Sequence, residues 1–80
     1  MDSAGLRAVL ARNLRAFARE RGIGHSALAD FAGVSRAQLY AVLARKTSPT
    51  VDWLSKIGEA LEVDVWRLLA SPTSRAKRSR

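Results

Sequence analysis

The sequence predicts an all-α fold: a compact bundle of five helices, with a helix-turn-helix at the second and third. Two observations carry this. Apolar residues recur at helical spacing in successive stretches. Between the stretches stand residues that start or stop helices, namely Gly22, Gly33, Ser35, Thr50 and Asp64. At 80 residues the chain is one domain. A chain this short buries roughly 60% of its unfolded surface, so pairing with a second copy would add to a small core.

The first helix is expected over residues 4–21, capped by Asp2 or Ser3, with Leu6, Leu10, Leu14 and Phe17 as its apolar stripe. Gly22 ends it, and Ile23 folds back onto its last turn. Arg12, Arg15 and Arg19 share one face, read either as a solvated surface or as a reach toward a phosphate. The second helix is expected over 25–32 behind a Gly24 N-cap, and the third over 36–44 behind Ser35. Thr50 caps a fourth over 51–61, with Val51, Leu54, Ile57 and Leu61 facing the core and Asp52 at the positive end of the dipole. Asp64 caps a short fifth over 65–70, which Pro72 stops. Residues 1–71 are thus the folded domain, and 72–80 read as a basic, disordered tail.

The stretch 25–44 organises the rest. Leu28, Ala29 and Ala32 line one face of its first helix, Gly33 supplies the positive φ of a turn, and Val34 plugs that turn. Leu39, Val42 and Leu43 form the inner face of the next helix. The gap from Leu28 to Leu39 leaves room for a three-residue turn. In this pattern the second helix enters the major groove of DNA.

Gly33-Val34-Ser35-Arg36, the small Ala29 at the helix crossing, and the apolar positions Leu28, Ala32, Val34, Leu39 and Val42 are similar to the phage-repressor (Cro/C1, or XRE) family. The resemblance runs from about Leu10 to Leu69 and implies a lambda-repressor-like DNA-binding domain. The chain departs from the family where Gly is usual and Arg45 and Glu62 stand. It departs again at Ala18 and Leu43, where many members pair an Arg with a Glu between helices. Replacing both partners of a buried pair by apolar groups is often neutral or stabilising, so Leu43 is expected in the core.

Base reading is expected from Arg36, Ala37, Gln38, Tyr40 and Ala41, the outer side of the third helix. Arginine can grip guanine O6 and N7, and an alanine methyl can touch a thymine methyl. The three polar residues each have a plainer alternative. Arg36 would serve as a phosphate contact, Gln38 would close a capping box with Ser35, and Tyr40 would pack locally. Phosphate contacts are expected at the N-terminus of the second helix, His25 and Ser26, at Ser35, and in the next loop at Arg45, Lys46, Thr47 and Ser48. The resemblance gives His25 a place often held by a phosphate-contacting Gln; a lone surface His is the alternative.

The formal net charge is +7, from 14 basic and 7 acidic residues. Arg75, Lys77, Arg78 and Arg80 lie in the tail, and without them the charge is +3. A polyanionic partner follows, and double-stranded DNA is the partner the motif selects. With no Cys there is neither a disulfide framework nor a thiolate metal site, which fits a cytoplasmic protein. No apolar run approaches the roughly 18 residues of a membrane span, and the start, MDSAGLRAV, is unlike a signal peptide. One His and no recognisable acidic pair give no catalytic arrangement, no metal site and no call for a cofactor.

Three aromatics, Phe31, Trp53 and Trp66, stand where the family often has polar residues. They are read as an interface or as fillers beside small residues such as Ala32 and Gly58. A homodimer is expected to use Trp66, Leu69 and Trp53. The rival function is a protein-interaction module whose main partner is a toxin or another regulator. RNA binding is a weaker third option, because no aromatic-studded platform is visible.

Overall fold

The structure is a computed structural model and describes residues 2–71. The expected tail, 72–80, and the stop at Pro72 lie outside the described residues. Among those described, the chain forms α1 (Ser3–Arg21), α2 (His25–Ala32), α3 (Arg36–Leu43), α4 (Val51–Leu61) and α5 (Val65–Leu68), with no strand. The all-α, five-helix expectation is met.

Local signals set most of the boundaries. Asp2 caps α1 by accepting from the Gly5 N–H at 2.8 Å, Ser35 caps α3, and Thr50 caps α4 through the Trp53 N–H at 3.0 Å. Asp64 occupies the N-cap of α5, but its side chain accepts no capping bond there.

The four longer helices end through the same left-handed turn. Gly22 and Gly33 provide it after α1 and α2, with φ of 66° and 76°. After α3 and α4 it is made by Arg45 and Glu62, at φ 65° and 61°. A residue with a Cβ is strained in that region by about 1–2 kcal/mol. The backbone bonds of the turn offset this strain: Lys46 N–H donates to the Ala41 carbonyl at 3.0 Å, and Val63 N–H to Gly58 at 2.9 Å. Because Arg45 takes the turn, α3 stops at Leu43, one residue short of the expected end. The fifth helix likewise stops at Leu68 rather than at residue 70.

The core gathers Leu10, Leu14, Phe17, Leu28, Leu39, Val42, Leu54, Ile57, Leu61 and Leu68. Here α1 packs on α3, α2 packs on both α3 and α4, and the short α5 closes against α1 and α4. Ala18 and Leu43 are both buried, as the joint apolar replacement requires. Three residues depart from expectation. Val51 is 72% exposed: it is the first residue of α4, and its side chain tilts toward the helix N-terminus, off the helix end; Leu6, in the first turn of α1, is exposed too. Trp53 is only 5% exposed: α4 turns it inward, so it is a core residue and offers no surface for a dimer.

One buried polar side chain organises the end of the fold. Asn13 on α1 donates through Nδ2 to the carbonyls of Leu68 and Ala70 at 2.8 and 2.9 Å, with a longer contact to Arg67 at 3.3 Å. It satisfies carbonyls that the end of a short helix leaves without partners. Beside it, the Arg67 guanidinium lies 5.2 Å from the centre of the Phe17 ring.

Candidate nucleic-acid interface

The geometry of the site begins with the three faces of α3. Leu39, Val42 and Leu43 are buried against the bundle. At 100° per residue, Ala37, Ala41 and Ala44 then form the opposite ridge. Ala37 and Ala44 are exposed and Ala41 is half-buried. Arg36 and Tyr40, four residues apart, run along the edge nearest α2, while Gln38 lies on the other edge. The outer surface of α3 is therefore a floor of methyl groups between hydrogen-bonding rims. Ala44 belongs to that floor and was not among the residues expected from sequence; the i, i+4, i+7 spacing with Ala37 and Ala41 was the available signal.

Both α2-facing residues are braced. The Tyr40 hydroxyl is 2.9 Å from the Ser26 hydroxyl, and the Tyr40 ring meets His25 edge-on with centroids 6.4 Å apart. These contacts join the first turn of α2 to the middle of α3 and half-bury His25 and Ser26. Arg36 is held by Asp30, with Nε to Oδ1 at 3.0 Å and Nη2 to Oδ2 at 2.6 Å. Hydrogen bonding to Arg36 holds the Asp30 carboxyl below its ordinary pKa, and the same bonds raise that of Arg36.

The capping box is half formed. Gln38 N–H donates to Ser35 Oγ at 3.1 Å, but among the described residues the Gln38 side chain makes no hydrogen bond in return. Its amide is exposed on the rim. Ser35 is also exposed, its oxygen engaged as the cap.

Basic groups lie on two sides of the C-terminal end of α3. On one side an open depression is lined by Arg15, Ala18, Arg19, Ile23, Gly24 and His25, so two arginines of α1 stand beside the N-terminus of α2. Arg15 also donates to the Leu43 carbonyl at 3.2 Å, which caps the end of α3. On the other side, Arg45, Lys46 and Ser48 are exposed in the loop after α3, and Thr47 is half-buried. Arg7 reaches this loop from α1, its Nε 2.9 Å from Ser48 Oγ. Sequence reasoning missed Arg7, and nothing local signals a contact across 41 positions.

The remaining expected residues lie elsewhere. Trp66 on α5 is 56% exposed, and Leu69 after it is half-buried against the core. Phe31 on α2 is 73% exposed. Among the described residues no cluster of His, Asp and Glu could hold a metal ion, and no helix is long and apolar enough to cross a membrane.

No protein-family profile matches the chain. It is 34% identical over 76 residues to a protein of Neisseria meningitidis serogroup B described as a hypothetical transcription factor, covering 95% of this chain and 72% of that protein. Among solved structures it superposes with a TM-score of 0.88 on the hypothetical transcription factor NHTF from Neisseria, at 33% identity, over 98% of this chain and 90% of that one. A transcriptional regulator of the HTH_3 family from Vibrio cholerae gives a TM-score of 0.82 at 26% identity, over 99% of this chain but 44% of the other. These similar proteins are described as transcription factors or regulators, and the chain is not an enzyme. It belongs to the helix-turn-helix family of transcription regulators.

Proposed function

We propose that the chain is a sequence-specific double-stranded DNA-binding repressor of the XRE type, acting as a homodimer on a palindromic operator. The observation that carries this is the outer face of α3: a floor of Ala37, Ala41 and Ala44, rimmed by Arg36, Tyr40 and Gln38, with basic groups around its C-terminal end. Small side chains let a helix sit deep in the major groove, where Arg36 and Gln38 meet base edges and alanine methyls meet thymine methyls. His25, Ser26, Ser35, Arg45, Lys46, Thr47 and Ser48 contact phosphates and set the register, joined by Arg7 and Arg15. Residues 1–71 are the binding domain, and the basic tail 72–80 adds attraction without sequence preference. The protein works in the cytoplasm of a bacterial cell, on its own genome or that of a phage.

One α3 reads only a few base pairs. Two copies must present their α3 helices about 34 Å apart to enter successive grooves on one face of DNA. The exposed Trp66 and the neighbouring Leu69 supply the pairing surface on a different element from α3. Occupancy of a promoter then blocks polymerase. A second reading, a module for another protein such as a toxin, is favoured by the exposed Phe31 on α2.

The test is a salt-titrated gel shift on the DNA upstream of the chain's own reading frame. Selective binding is expected, with affinity falling as salt rises by a slope of about 0.9 per phosphate neutralised. Equal binding to all duplexes, together with a co-purifying protein, favours the second reading.

A further inference from the structure

Asp30 stands in the last turn of α2 and Arg36 in the first turn of α3, with the Gly33 turn between them. Their two parallel hydrogen bonds, 3.0 and 2.6 Å, fix the plane of the guanidinium as well as its position. The side chains are 57% and 59% exposed, so the pair adds little to stability. Its effect is on orientation.

The pairing uses the Nε hydrogen and one hydrogen of Nη2. Nη1 and the second hydrogen of Nη2 remain, a pair of parallel donors on the edge away from Asp30. That edge matches O6 and N7 of guanine. The carboxylate also alters which contact Arg36 favours. A guanidinium already neutralised by a carboxylate attracts a phosphate weakly, because Asp30 repels the same phosphate. Its donor geometry toward a base edge is undiminished. An unpaired arginine would behave the other way, strong toward any phosphate and loosely aimed at a base.

We propose that Asp30 is a specificity-determining residue, a positioning group that holds Arg36 so that its free edge reads one guanine in each half-site. This rests on the reading of the chain as a sequence-specific DNA-binding protein. Asp30 does not itself touch the base. Through Arg36 it converts a general cation into a directed one.

The experiment uses the full chain and a fluorescent duplex enriched by it from a randomised library. Binding is compared with duplexes in which each guanine pair is replaced in turn, for the wild type, Asp30→Ala, Asp30→Asn, Arg36→Ala and the double variant Asp30→Ala/Arg36→Ala. The wild type should lose about ten-fold in affinity at one guanine pair per half-site. Asp30→Ala and Asp30→Asn should shrink that penalty to about three-fold or less, while binding to unrelated duplexes stays equal or tightens as a negative charge is removed. Adding Asp30→Ala to Arg36→Ala should change discrimination no further. The assignment is overturned if both Asp30 variants keep the full penalty, or if Asp30→Ala changes discrimination equally when Arg36 is absent. A wild type that enriches no sequence overturns the DNA reading itself, and this assignment with it.

Discussion

The amide nitrogen of Asn13, near the middle of α1, lies 2.8 Å from the carbonyl oxygen of Leu68, the last residue of α5. With its contact to Ala70, this side chain ties the end of α5, of 4 residues, to α1, of 19. Asn13→Leu keeps the bulk but leaves those carbonyls without a donor, which costs about 1–3 kcal/mol. Thermal unfolding should show it as a drop of about 4–8 °C per kcal/mol. A variant melting with the wild type would mean that water replaces the amide without loss.

Gly58 sits inside α4, where alanine is ordinarily better by about 0.5–1 kcal/mol. Here a Cβ would lie 2.9 Å from the Val63 carbonyl oxygen, a backbone atom in the turn that leads into α5. Gly58→Ala should therefore destabilise by about 1–3 kcal/mol through overpacking. Urea denaturation checks the sign, and a higher midpoint would show that the turn yields freely.

The acid response of the Asp30–Arg36 pair has a definite direction. The folded-state pKa of Asp30 lies below its ordinary 3.8, so the small stability the exposed pair contributes is present above that value and lost as pH falls through the depressed one. Arg36 remains charged throughout. The melting-temperature difference between wild type and Asp30→Asn should stay constant between about pH 8 and pH 5 and narrow below about pH 4. A difference that changes near neutrality would show that Asp30 is not the group responsible.

Trp66 is exposed on α5 while Leu68 beside it is buried, so replacing the indole leaves the core in place. Trp66→Glu should yield a folded protein that is more monomeric in sedimentation and weaker on its operator. Burial of an indole at a dimer interface supplies roughly 2–3 kcal/mol per subunit, equivalent to a large shift in the dimer dissociation constant. An unchanged sedimentation profile would move the interface elsewhere, with Phe31 the next exposed aromatic.

The sequence was most informative where the physics is local. Gly22, Gly33, Ser35 and Thr50 each act within a few residues, and α2 and α4 run between the expected ends. The end of α3 was misplaced because Arg45 does what glycine usually does, and only the surrounding backbone bonds make that conformation tolerable. The outer face of α3 could be read as the complement of Leu39, Val42 and Leu43. Periodicity alone did not fix the ends of stripes, so exposed Val51 and buried Trp53 were both misread. Asn13 with Leu68 and Arg7 with Ser48 depend on how helices far apart in the chain pack, 55 and 41 positions away. The Asp30–Arg36 pair spans only 6 positions, but it depends on the angle of the Gly33 turn and on two rotamers.

If α3 reads DNA sequence as one half of a symmetric pair, the full chain selects duplexes of one pattern from a randomised library. The expected result is an enriched two-fold symmetric motif with half-site centres about 10–10.5 base pairs apart, or a multiple of that spacing, which Arg36→Ala degrades at one position in each half. A pool that stays random, with every duplex retained alike, would contradict it.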